Sequence, residues 1–238
     1  MGKDKRLFTA KLPMDWRQQI WAALAATNIK LQSAIAVLQL TGCRCKELET
    51  GVRIEYRHDD PQYGETLSLT IAGAKVTDIT DRKGNKHQRG QPERTIVVTL
   101  DSEAASYLAD IIMENGGKPV TISYHRKGIS TRLGEISREV FPKRKEHVSS
   151  YCYRHAFSAD QKTGQVGRDT IAAALGQLSD FSQGAYGRAR RGGSGSVQST
   201  IISATASRPV KHNKKTERLL RFKITSKFRK ANADGGAK

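Results

Sequence analysis

Leu40-Thr41-Gly42-Cys43-Arg44-Cys45-Lys46-Glu47-Leu48 closes an apolar run, Ile35-Ala36-Val37-Leu38-Gln39-Leu40, and opens a charged one. The glycine at that boundary predicts a helix end or a tight turn, because glycine enters the left-handed region without strain. A short new helix then carries Arg44 and Glu47. Arg44 stands out as a cation in an otherwise apolar stretch.

Upstream, Met14 to Ile29 repeats apolar residues at helical spacing (Ile20, Leu24, with Trp16 and Trp21 beside them). Downstream, Val52 to Arg57 and Leu67 to Ile71 alternate, and Thr95 to Leu100 is rich in β-branched residues, which predicts a small antiparallel sheet. Asp78 to Glu93, polar and glycine-bearing, reads as a long exposed hairpin loop. The chain then turns helical again. Glu103 to Met113 forms one helix, capped by Asp101 or Ser102 and ended by Asn115-Gly116-Gly117. Ser130 to Val140, Ser150 to Gln161, Thr170 to Leu175 and Phe181 to Arg190 read as further helices. The expected class is α+β, mainly helical, with one domain over residues 1–190. Residues 191–238 are expected to form a basic, partly disordered tail. It begins after Arg190 with a glycine–serine linker and holds a short strand at Ile201 to Ala204 and a basic amphipathic helix at Glu217 to Lys230.

Composition narrows the function. No stretch approaches the roughly 18 to 20 apolar residues of a membrane span, and the N-terminus lacks an apolar signal core, so a cytoplasmic, nucleoid-associated protein is expected. Cys43, Cys45 and Cys152 make neither an even disulfide set nor a CxxC pair, so reduced thiols and no metal site or cofactor are expected. The net charge of +18 favours a polyanion partner. From Gly187 onward there are 14 Lys+Arg against 2 acidic residues, so most of the excess lies in the tail. Charge alone fits ribosomal, membrane-surface and DNA-acting proteins equally.

Two further segments narrow that choice: Tyr151-Cys152-Tyr153-Arg154-His155-Ala156-Phe157, and Leu175-Gly176-Gln177 followed nine positions later by Tyr186. With Leu40 to Leu48 they resemble the three boxes of the tyrosine recombinase (phage integrase) family: TG-x-R-x-x-EL, H-x-x-R-H-x-F, and LGH before a nucleophilic tyrosine. Order and spacing make the set specific where any single box is weak. The resemblance covers Trp16 to about Arg190 and includes the succession of helices, sheet and helices.

The resemblance implies a metal-independent reaction on double-stranded DNA. A tyrosine phenol attacks a phosphodiester, stays joined to the 3′ phosphate, and lets a 5′ hydroxyl reseal the strand. It assigns Tyr186 as nucleophile and Arg44 and Arg154 as guanidinium groups that hold the charge of the transition state. The leaving 5′ oxygen takes its proton from a lysine after the first arginine. Lys75 is in the expected place, and Lys83 and Lys86 are rivals. Tyr151 stands where the family has histidine, and a tyrosine hydroxyl is a poor base at neutral pH. Gln177 stands where the family has histidine or tryptophan, and its amide still donates a hydrogen bond. His155 is expected to pack beside Arg154.

Only 43 residues precede Arg44, so the helical core-binding domain that the family carries ahead of the first box is expected to be missing. Either the sequence is a fragment, or it is a minimal version whose DNA specificity comes from another recombinase or accessory protein; self-association on DNA is also expected. The rival reading is a DNA-binding or regulatory relative that kept the fold and lost efficient chemistry. An RNA-packaging or ribosomal protein accounts for the charge alone.

Overall fold

The computed structural model describes residues 8–9, 11–25, 28–82, 84, 86–186 and 200–213. Helix α1 (Trp16–Ala25) stops short of the expected end at Ile29, because Asn28 starts a new helix: its side chain accepts from Leu31 N at 3.2 Å. That helix, α2 (Ile29–Thr41), is buried at every residue from Ser33 to Thr41 and is apolar all round, as a central helix must be. The short α3 (Cys45–Thr50) follows, then α4 (Glu103–Glu114), α5 (Arg126–Val140), α6 (Ser150–Thr163) and α7 (Arg168–Ala174). Ser102, not Asp101, caps α4, accepting from Ala105 N at 3.3 Å. Helix α2 packs between α4 and α6. Trp16 meets Tyr153 edge-on at 4.9 Å, and a buried Arg17–Asp160 ion pair ties α1 to α6.

The fold is α+β. Strands β1 (Val52–Asp60), β2 (Gly64–Ala72), β5 (Glu93–Thr99), β6 (Val120–Ile122) and β7 (Ile201–Ala206) form an antiparallel sheet in the order β6-β1-β2-β5-β7. Its inner face is set by period-two alternation: Val52 and Ile54, Leu67, Leu69 and Ile71, Ile96 and Val98 are all fully buried. The polar stretch expected to be a loop instead forms its own hairpin, β3 (Thr77–Thr80) with β4 (Lys86–Arg89). Strand β2 ends at Ala72, where Gly73 N turns to donate to Pro92 O at 2.7 Å. Of the helix expected over Phe181 to Arg190, the described part is a 3-10 turn over Asp180–Ala185 that ends at Tyr186, and residues 187–190 lie outside the described residues.

Residues 200–213 return to the body. Strand β7 pairs with β5, Ile201 N donates to Gln161 Oε1 at 3.4 Å, and Lys211 N donates to Leu178 O at 2.7 Å. The glycine–serine linker and the Glu217 to Lys230 helix lie outside the described residues. Among the described residues no helix is long and apolar enough to cross a membrane.

Gly42 determines how α2 delivers the chain to Arg44. It caps α2 at φ 57°, its N–H bonded to Leu38 O at 2.9 Å, and a β-carbon there would stand 2.9 Å from the Phe157 ring. Gly42→Ala is therefore expected to lose roughly 1–2 kcal/mol from the left-handed backbone alone, with the clash added. Urea denaturation of the full chain measures it, and an unchanged midpoint would contradict this geometry.

Candidate active site

Arg154 sits on α6, whose apolar neighbours carry the side chain into the protein until only 1% of the residue is exposed. Its Nη1 donates to Gly42 O at 2.8 Å and its Nη2 to Leu175 O at 2.6 Å. Both carbonyls lie at helix C-terminal ends, of α2 and α7, where carbonyls lack partners within the helix and the helix dipole is negative. Among the described residues no carboxylate forms an ion pair with this guanidinium, and its Nε makes no hydrogen bond. Burial, and then the nearby Arg44 charge, press its pKa below the usual arginine value. The result is a buried cation held by carbonyls, with its charge left for an incoming anion.

Arg44 is held differently. Glu47, three residues on, accepts from Arg44 Nη1 at 2.6 Å and from the Arg44 backbone N at 2.8 Å. Its other debt of charge is to Arg94 on β5, whose Nη2 lies 2.8 Å from Glu47 Oε2 while its Nε donates to Ala174 O at 2.6 Å. Burial alone would raise the Glu47 pKa, but Arg94 and then Arg44 outweigh it and hold the carboxyl at about 2. Gly176, at φ 65°, makes room for Arg94: a β-carbon there would lie 3.0 Å from its Nη1.

Tyr186 follows the 3-10 turn, its N–H bonded to Gln183 O at 3.2 Å. The Arg154 guanidinium lies 5.0 Å from the centre of its ring. The Tyr151 ring stacks on it at 6.5 Å, and the His155 ring stands 5.4 Å away. Burial opposes ionisation of the Tyr186 phenol. The Arg154 charge and hydrogen bond, a hydrogen bond from Tyr151 and the Arg44 charge outweigh it, so its pKa is lowered. The Tyr151 pKa moves the other way, raised by burial and then by the neighbouring Tyr186.

Arg44, Lys75, Gln177 and Tyr186 line one open cleft of about 940 Å³, with Arg154 and Tyr151 against Tyr186. The six residues singled out in the sequence are thus brought to one place. Lys75 reaches the cleft from the turn after β2, and is exposed. Lys83 lies outside the described residues, and so does the side chain of Lys86. Gln177 Oε1 accepts from Gln183 Nε2 at 2.6 Å. Among the described residues no cluster of three His, Cys, Asp or Glu suits a metal ion.

Three partners were not read from the sequence. Arg94 occupies a core-facing position of β5, in register with Ile96 and Val98, and a cation in that period-two slot was the available signal. Gln183 shows no signal in sequence, since its contacts are made across space. His155, expected only to pack beside Arg154, also borders the Tyr186 ring.

No family model matches the chain, and no curated protein matches it. Among solved structures it is similar to XerA recombinase, at 14% identity and a TM-score of 0.44, over 74% of this chain and 57% of that one. It is also similar to XerH site-specific recombinase bound to palindromic difH substrate in a post-cleavage complex (14%, 0.44, 74% and 48%). A pre-cleavage complex of XerH with difH substrate compares alike (15%, 0.44, 74% and 50%). The chain spans about half the length of the solved structures it matches.

The Glu47 bridge has measurable consequences. Glu47→Ala leaves Arg94 buried without its carboxylate and is expected to cost roughly 3–5 kcal/mol in urea denaturation. A carboxyl with a depressed folded pKa contributes stability that is complete above its ordinary value of 4.5 and is lost as pH falls toward about 2. Glu47→Gln should remove that component of acid sensitivity, and an unchanged acid profile would show that the carboxylate is not paired as described.

Proposed function

We propose that this chain cleaves and rejoins DNA strands through a covalent phosphotyrosyl intermediate on Tyr186. The observation that carries the reading is Arg154: a fully buried guanidinium held by two carbonyls, without a carboxylate partner, against the ring of a tyrosine whose pKa is lowered. Such a cation stabilises an anion that arrives or develops beside it, and the cleft there is open to a phosphodiester.

In this reading the Tyr186 oxygen attacks phosphorus, the bond to the 5′ oxygen breaks, and the strand remains joined through its 3′ phosphate. Arg154 and Arg44 neutralise the non-bridging oxygens. Lys75 donates a proton to the leaving 5′ oxygen. Tyr151 acts as a donor to the phenolate, since its raised pKa keeps its own hydroxyl protonated at neutral pH. The Tyr186 proton leaves to water in the open cleft. The later attack of a 5′ hydroxyl reverses each step and reseals the strand.

The phosphates of duplex DNA are the polyanion that the +18 charge would meet. Self-association on DNA, and a partner protein that supplies site choice, belong to the same proposal. A second reading, a regulatory relative with little cleavage activity, is favoured by one observation: neither residue 151 nor residue 177 is a histidine, so the cleft has donors where a base would stand.

Nicked suicide duplexes of varied sequence test the two readings. The first expects a covalent adduct mapped by mass spectrometry to Tyr186, absent in Tyr186→Phe with duplex binding retained. Arg154→Ala should slow adduct formation by about 10²–10³-fold, as for loss of a transition-state donor. No adduct from any duplex supports the regulatory reading, and an adduct on another residue defeats the assignment.

The pH dependence follows from the same geometry. Because the folded pKa of Tyr186 lies below that of an ordinary tyrosine, adduct formation should rise with pH and level off before pH 10. Tyr151→Phe removes one hydrogen bond to the phenolate, so the profile should move to higher pH. A profile that does not move would remove Tyr151 from this role.

A further inference from the structure

Gln183 lies three residues before Tyr186 and is 3% exposed. Its backbone carbonyl accepts from Tyr186 N at 3.2 Å and from Lys162 Nζ at 2.8 Å. Its side-chain Oε1 accepts from the Ser158 hydroxyl at 3.2 Å, and its Nε2 donates to Gln177 Oε1 at 2.6 Å. Lys162 and Ser158 both belong to α6, the helix that carries Arg154. The backbone carbonyl of Gln177 is held separately, by Gln91 Nε2 at 3.2 Å.

These contacts decide which end of Gln177 faces the cleft. A primary amide has one accepting oxygen and one donating nitrogen on the same trigonal carbon, so holding one inward turns the other to a different side. The Ser158 hydroxyl, which can donate or accept, here donates to Gln183 Oε1, and the atom of Gln183 that meets Gln177 is the donor Nε2. Gln177 therefore turns its oxygen inward, and its nitrogen is the atom left for the cleft that it lines. An amide free to rotate would present an acceptor to a phosphate half the time, and acceptor against anion is repulsive.

We propose that Gln183 is a positioning residue: it locks Gln177 as a hydrogen-bond donor to a non-bridging phosphate oxygen, and through its backbone it anchors the turn that carries Tyr186. This rests on the strand-cleavage reading for the identity of the phosphate, but the orientation of Gln177 can be measured without cleavage. The Ser158–Gln183–Gln177 chain thus transmits the position of α6 to the cleft.

Two substitutions of similar size separate orientation from mere packing. Gln183→Glu places an acceptor opposite Gln177, so Gln177 must turn its nitrogen inward and its oxygen toward the cleft. Gln183→Met keeps the shape and removes both hydrogen bonds. In the full chain, the side-chain amide signals of Gln177 are followed by ¹⁵N–¹H spectroscopy while inorganic phosphate is added. In the unsubstituted chain and in Tyr186→Phe they should shift with phosphate, and in Gln183→Glu the response should be lost. Adduct formation on a nicked duplex should fall at least tenfold in Gln183→Glu with duplex affinity retained. In a Gln177→Ala background, Gln183→Met should have little further effect, as coupled residues require.

A Gln177 amide that ignores phosphate while the Arg44 and Arg154 side-chain signals respond overturns the proposal and leaves the cleavage reading intact. Equal losses from Gln183→Met with and without Gln177 also overturn it, since Gln183 would then act by packing. If the Gln177 amide responds as expected and no duplex yields an adduct, the orientation stands as that of an anion site and the cleavage reading fails.

Discussion

Arg154 is the constraint on which the arrangement depends. Its side chain leaves α6, crosses the interior and ends on Gly42 O from one segment and Leu175 O from another, so one residue joins all three parts of the site. A buried charge costs several kcal/mol unless its surroundings compensate. Here the compensation comes from carbonyls at two helix ends, which solvate the cation without neutralising it. A carboxylate in the same place would have made a stable ion pair and consumed the charge.

The neighbouring carboxylate, Glu47, is used elsewhere. It is shared between Arg44 and Arg94, so the sheet, through β5, fixes the arginine that lines the cleft. Arg94 in turn reaches Ala174 O at the end of α7, one residue before the carbonyl that holds Arg154. Sheet and helices are therefore coupled through charge rather than through apolar packing alone. The cleft inherits two cations held in different ways: Arg44 partly neutralised, Arg154 not. Beside the Tyr186 phenol, Arg154 and Tyr151 act as donors, while the His155 ring borders it from another side. Tyr151 and Gln177 can both hold negative charge in place, and neither readily takes a proton.

Much of this was legible in the sequence because it lies in short contiguous segments. The glycine at 42 ends α2 where a left-handed residue is needed, and Arg44, Arg154, Gln177 and Tyr186 were singled out through the resemblance that three short segments carry. The sheet was legible where alternation is clean, as in Leu67, Leu69 and Ile71. It was not legible in Asp78 to Glu93, where the hairpin is made of polar residues with no buried face to set a period. The turn before Tyr186 read as a helix although Phe181 to Arg190 holds two glycines, Gly184 and Gly187, because nothing else in the stretch breaks one. Its true shape depends on Gln183, whose partners lie on α6 and at Gln177. Arg94 and Gln183 share that property: their roles are written in contacts between distant segments, and spacing along the chain does not contain them.

The central physical claim is that the charge of Arg154, solvated by carbonyls rather than paired with a carboxylate, acts on Tyr186. Titration of the full chain labelled with ¹³C at the tyrosine Cζ carbons measures this directly. The account predicts that the Tyr186 phenol ionises below the ordinary value of 10.0 and Tyr151 above it, and that Arg154→Met moves Tyr186 upward. A Tyr186 phenol that ionises at or above 10.0 and is indifferent to Arg154→Met would contradict the account.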